Sequence, residues 1–141
     1  MVPDFVLWLT GAFSIALGTV HFFLPVLLDF RTAIPDDGPP LRPFRLGPIR
    51  YATKRSDVHG IAWVMNHAAS YVLVSVGAFD VCVSAWRGSA PGRWACAWIA
   101  GWWLLRALSQ GYLGRRRGDY IVGFLLGLLA VVHALAALDH G

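Results

Sequence analysis

The chain contains no glutamate. Its eight acidic residues are all aspartate, and eleven of its twelve basic residues are arginine, with Lys54 the one lysine. No HExxH zinc motif can exist without glutamate, and the P-loop and GxSxG signatures are missing too. Charge of either sign is scarce, at 14% of 141 residues against 57% hydrophobic, which lies outside the range of soluble domains. Only two cysteines are present and no CxxC, so a dithiol redox motif is excluded. The twelve basic residues bring no nucleic-acid recognition motif with them, and nucleic acid is not an expected partner.

What is present is apolar sequence in long blocks. A bilayer core of roughly 30 Å needs about 20 helical residues, and four runs reach that length: 5–28, 59–85, 94–113 and 120–138. The expected fold is all-α, a single four-span membrane domain over 1–141, arranged as a four-helix bundle. If every residue from Asp57 to Trp86 were helical, that helix would approach 45 Å at about 1.5 Å per residue and would have to tilt or protrude. Ser56-Asp57 and Gly118-Asp119 mark helix starts, where aspartate meets free amides and the positive end of the helix dipole. The first run is read as a permanent span, because Asp4 stands where a cleavable signal carries positive charge.

Residues 31–56 hold Pro35, Pro39, Pro40, Pro43 and Pro48, a density that excludes regular helix. Six basic residues, Arg31, Arg42, Arg45, Arg50, Lys54 and Arg55, share this side of the bundle with Arg115, Arg116 and Arg117. The other side carries Arg87 and Arg93. Nine against two predicts that both basic loops are cytoplasmic and both termini extracytoplasmic, the membrane being the cytoplasmic (inner) one if the source is bacterial. Orientation and attraction to anionic headgroups account for these arginines without any active site.

Ionisable groups then recur at matched depth. His21 precedes Arg31 by ten residues, His67 follows Asp57 by ten, and Arg106 precedes Arg115 by nine, which places each roughly 13 to 15 Å from the same surface. Such groups are expensive in lipid and belong in a bundle interior or a wet cavity. On α-helical phase Gly11, Ser14, Gly18, His21 and Pro25 share one face, while His59, Asn66, Ser70 and Gly77 form a stripe with His67 beside it. The candidate ligand site is therefore His21, Asn66, His67, Ser70 and Arg106, with Tyr71 and Gln110 close by. Interhelical hydrogen bonding is the alternative use of the same residues.

A second constellation lies toward the opposite surface. Asp80, seven residues before Arg87, and His133, six before Asp139, form a possible carboxylate–imidazole relay. Asp80, His133 and His140 lack the dense spacing of a metal site, and no metal is expected. Cys82 and Cys96 have similar depth, so a disulfide and two buried free thiols are both open. Trp94 reads as an interface anchor, and Trp102 or Trp103 as a cation–π neighbour of Arg106. Gly123 and Gly127 form a GxxxG spacing continued by Ala130 and Ala134, a face for close packing within the bundle or between protomers.

Two functional classes follow. One is a small multi-pass protein whose cytoplasmic-side pocket binds an amphipathic ligand or cofactor: a quinone, a lipid-linked anion, or haem held between two histidines. The other is a noncatalytic accessory or assembly subunit of a larger membrane complex, or an oligomeric transporter, since four spans are few to enclose a transport path. No catalytic residue is assigned.

Overall fold

The computed structural model describes residues 2–113 and 116–139. The chain is all-α apart from one small hairpin. Its elements are α1 (Asp4–Leu27), α2 (Phe30–Ala33), β1 (Phe44–Leu46), β2 (Ile49–Tyr51), α3 (Arg55–Val81), α4 (Val83–Trp86), α5 (Ala90–Ser109), a 3-10 turn (Gln110–Tyr112) and α6 (Arg117–Ala137). Helices α1, α3 and α6 are long and apolar enough to cross a membrane, as expected of a membrane protein. The fourth expected run forms the 20-residue α5.

Two compact units make up the chain. The first combines Met1–Phe13 with Val76–Gly141, and the second is Ser14–Ser75. In the first, Val2, Leu7, Val83, Cys96 and Ala136 form a buried cluster flanked by Val6, Phe79, Trp86, Val132 and Ala137. Arg87 gathers the ends of this unit: its guanidinium pairs with Asp4, donates to the carbonyl of Val2, and lies 2.9 Å from Asp139.

The helix starts use aspartate one turn later than a simple N-cap. Asp57 accepts from the backbone N–H of Lys54 at 2.9 Å, and Asp119 accepts from that of Arg116 at 3.0 Å. Each carboxylate thus reaches back over the first turn, where it also opposes the positive dipole end. At the start of α5 the Ser89 hydroxyl accepts from the Gly92 amide and donates to the Trp86 carbonyl. Gly92 is required there, because a Cβ would come within 2.5 Å of that same carbonyl.

Helix α3 does not continue to Trp86. It stops at Val81, and Cys82 takes φ −88°, ψ 25° before the short α4. The cause is aromatic: Trp86 stacks on Phe79 with centroids 4.4 Å apart and its indole N–H donates to the Phe79 carbonyl at 2.7 Å. Folding the Trp86 ring back over the last turn holds the chain in a break, so the helix spans 27 residues, about 40 Å at 1.5 Å each.

The Pro-rich segment contains more order than its composition suggests. Gly47, at φ +58°, lets β1 turn into β2 with Phe44 opposite Tyr51, Arg45 opposite Arg50 and Leu46 opposite Ile49. The segment is tied to α3 by Arg55, which donates to the Pro39 carbonyl, and by His59, whose Nδ1 donates to the Ile34 carbonyl at 2.6 Å.

Candidate functional site

In the second unit, α1 presents the face that its spacing predicts. Ser14, Gly18 and Pro25 are buried on it, and His21 is half-buried. Gly18 is at its closest possible approach: a Cβ there would lie 2.9 Å from both the Leu73 Cβ and the Val74 Cγ2. Close contact brings Asn66 onto His21, and Pro25 explains why. Proline has no N–H, so the carbonyl four residues earlier, that of His21, loses its helical donor. Asn66 Nδ2 supplies the replacement at 2.7 Å, while Asn66 Oδ1 sits 3.1 Å from His21 Nδ1. One buried amide thus serves both the backbone and the ring of His21.

His67 is differently placed. Its ring packs against Phe22 and Trp63, with centroids 5.0 and 5.7 Å away. His21, His59 and His133 each have a ring nitrogen in a hydrogen bond, whereas His67 has none among the described residues. It lines an open groove of about 350 Å³ together with Gly18, Phe22, Phe23, Ser70 and Tyr71. Ser70 is buried, with its hydroxyl donated to the Asn66 carbonyl at 2.9 Å. Of the predicted ligand residues, His67 and Ser70 line the groove and Asn66 holds His21. Arg106 belongs to the first unit, half-buried on α5 and without a hydrogen bond or ion pair among the described residues.

The first unit brings Asp80 and His133 together. Both have no exposed surface, and His133 Nε2 lies 3.0 and 3.1 Å from the two carboxylate oxygens. On the far side of the ring, Nδ1 is 2.8 Å from the Leu129 carbonyl. A carbonyl only accepts, so Nδ1 carries a hydrogen, and one further proton is shared between Nε2 and Asp80. Imidazolium with carboxylate and imidazole with carboxylic acid both satisfy this geometry, and both leave the pair neutral overall. Thr10, which sequence reading missed, completes the cluster at 3.0 Å from Asp80 Oδ2 and 2.8 Å from the Leu7 carbonyl. Its position one turn before Ser14 on the small-residue face was the available signal.

Several other expectations resolve here. Cys82 and Cys96 are both free: Cys82 is exposed and Cys96 is sealed in the first unit's core, so no disulfide joins them. Trp94 is exposed. Trp102 stacks on Trp98 with centroids 6.4 Å apart, and no cation–π contact to Arg106 occurs among the described residues. The indole N–H groups of Trp63, Trp102 and Trp103 are buried without a hydrogen-bond partner there. Gly123 meets Gln110 at ordinary contact distance, but Gly127 faces open space and Ala134 is exposed, so the GxxxG face is not packed along its length among the described residues. Arg115 and His140 lie outside the described residues. No grouping of three or more His, Cys or Asp side chains suited to a metal ion occurs among the described residues. No protein-family model, curated protein or solved structure matches the chain.

Proposed function

We propose that this is a four-span protein of the cytoplasmic membrane that binds a flat amphipathic ring, of the quinone class, in the groove at His67. The observation that carries this reading is a histidine with no hydrogen-bond partner among the described residues, facing an apolar groove large enough for a ring. Phe22, Phe23 and Tyr71 are more than half exposed along it, so an apolar ligand enters from the bilayer. A ring carbonyl would accept from a His67 N–H, which supplies the missing partner, while the apolar walls take the ring and its tail. No arginine or lysine lines the groove, which favours a neutral ring over a lipid-linked anion. The bis-histidine haem of the sequence reading would need His21 beside His67, and His21 is not part of the lining. On the same reading the wide basic loop faces the cytoplasm and anionic headgroups, and the sealed Asp80–His133 pair holds α1, α3 and α6 together instead of conducting protons.

The test is the absorption spectrum and extractable small-molecule content of the purified chain. A copurifying quinone-type molecule should fall roughly tenfold in His67→Ala, the effect of one lost hydrogen bond of about 1.4 kcal/mol. His59→Ala should leave ligand content unchanged, because His59 braces the Ile34 carbonyl outside the groove. A Soret band lost in His21→Ala would reinstate haem. Protein free of any ligand, with added quinone unable to raise its melting temperature, would favour the accessory-subunit reading.

A further inference from the structure

A second cavity, of about 400 Å³, lies in the first unit where α5 gives way to α6, walled by Ala107, Gln110, Asp119, Tyr120, Gly123 and Phe124. Gln110 is one of its polar walls. The residue is only 8% exposed, yet its side-chain amide makes no hydrogen bond among the described residues. Its amide nitrogen and oxygen keep some accessible surface, so a ligand in the cavity can reach a donor and an acceptor that the described residues leave unused. Gly123 makes room, since a Cβ there would sit 3.5 Å from the Gln110 Cβ and Cγ.

The remaining walls supply groups for both charges of a zwitterion. Asp119 contributes a carboxylate, Tyr120 and Phe124 contribute aromatic rings, and the C-terminal end of α5 with its 3-10 turn directs the negative end of a helix dipole here. The carboxylate, the rings and that dipole end attract a cation, while the amino-terminal end of α6, which starts at Arg117, attracts an anion. Beside them, Arg116 and Arg117 open α6 with exposed side chains. We infer that this cavity binds a primary ammonium carried next to a phosphate, the headgroup chemistry of a phosphoethanolamine lipid. The Gln110 amide matches that zwitterion at both atoms: Oε1 accepts from the ammonium and Nε2 donates to a phosphate oxygen. A quaternary ammonium has no hydrogen to give Oε1, and a purely anionic headgroup is repelled by Asp119. The site stands at helix ends, at headgroup level, and is independent of the His67 groove.

The experiment is native mass spectrometry of the full chain after incubation with equimolar phosphatidylethanolamine, phosphatidylcholine and phosphatidylglycerol. Phosphatidylethanolamine should be retained roughly tenfold over the other two, and Gln110→Leu should abolish that preference. The Gln110 amide makes no hydrogen bond among the described residues, so without lipid Gln110→Leu should melt no lower than the parent. This separates lost binding from lost folding. Phosphatidylethanolamine should then raise the melting temperature of the parent and not of the variant. Displacement by soluble phosphoethanolamine would support recognition of the headgroup alone, and displacement only by the lipid would support recognition that includes the acyl chains. Equal retention of phosphatidylglycerol, or an unchanged preference in Gln110→Leu, would overturn the assignment.

Discussion

His133 Nε2 and the Asp80 carboxylate, fifty-three residues apart in sequence, meet at 3.0 Å with neither side chain reaching solvent. Each partner is tolerable there only because of the other. Removing one leaves a buried polar group unpaired, at a cost of about 3 to 5 kcal/mol, whereas replacing both by apolar groups can be nearly neutral. Asp80→Val and His133→Leu should therefore each lower stability severely, and the double variant should recover most of the loss. A double-mutant cycle on unfolding in detergent reads this directly. Additive effects would show that the contact contributes nothing as a pair.

A rescue experiment follows from the Asn66 latch. Asn66→Leu strips the Asn66 donor from the His21 carbonyl and the Asn66 acceptor from its ring, which should cost about 1 to 3 kcal/mol. Pro25→Ala in that background restores a backbone N–H four residues after His21, and with it the helical hydrogen bond. Stability should rise relative to Asn66→Leu alone. Measured melting temperatures that fail to recover would mean that Asn66 does not act by replacing the donor that Pro25 lacks.

The two halves of that latch show what the sequence could and could not disclose. The face Gly11–Ser14–Gly18–Pro25 was legible because helical phase is fixed at 100° per residue and small residues mark close approach. The orphan carbonyl that Pro25 leaves at His21 went unread, although the missing proline N–H implies it. Which donor would answer it depended on the axial register of α3, and sequence does not set that to within one residue. Asp80 and His133 were legible as candidates for a pair by their matched depth, but whether two groups on separate helices meet was not. The hairpin was hidden because it places Arg45 opposite Arg50, a like-charge pairing that strand patterning argues against. The α3 break was hidden because one tryptophan ring, and no proline or glycine, holds the chain there.

Glycine substitutions should separate packed positions from open ones. At Gly11 a Cβ would lie 2.8 Å from the Gly77 carbonyl oxygen and 2.9 Å from Asp80 Cβ, so Gly11→Ala meets backbone that cannot move aside. The same applies to Gly18 against the Val74 amide, at 3.0 Å. Each should destabilise the fold by about 1 to 3 kcal/mol. Gly127→Ala meets nothing within 4 Å and should stabilise α6 by about 0.5 to 1 kcal/mol through helix propensity. If Gly127→Ala instead lowers stability and Gly127→Leu dissociates an oligomer in detergent, the open GxxxG face is a protomer contact.

Orientation can be read with cysteine chemistry. Cys96 is sealed in the core and can stay, so Cys82→Ser alone provides the background. Into it are placed Arg45→Cys, on the exposed hairpin, and Ala90→Cys, exposed at the start of α5. Nine basic residues flank the hairpin side against two at Arg87 and Arg93, and retention of positive charge in the cytoplasm makes Ala90 the outward position. A membrane-impermeant maleimide should modify Ala90→Cys in intact cells and reach Arg45→Cys only after permeabilisation. The arginine bias is also causal on this account, and replacing Arg42, Arg45, Arg50 and Arg55 together by asparagine should yield a mixed population, with some Arg45-side labels appearing outside. Labelling of Arg45→Cys in intact cells of the unaltered charge background would reverse the orientation and move the His67 groove to the opposite leaflet.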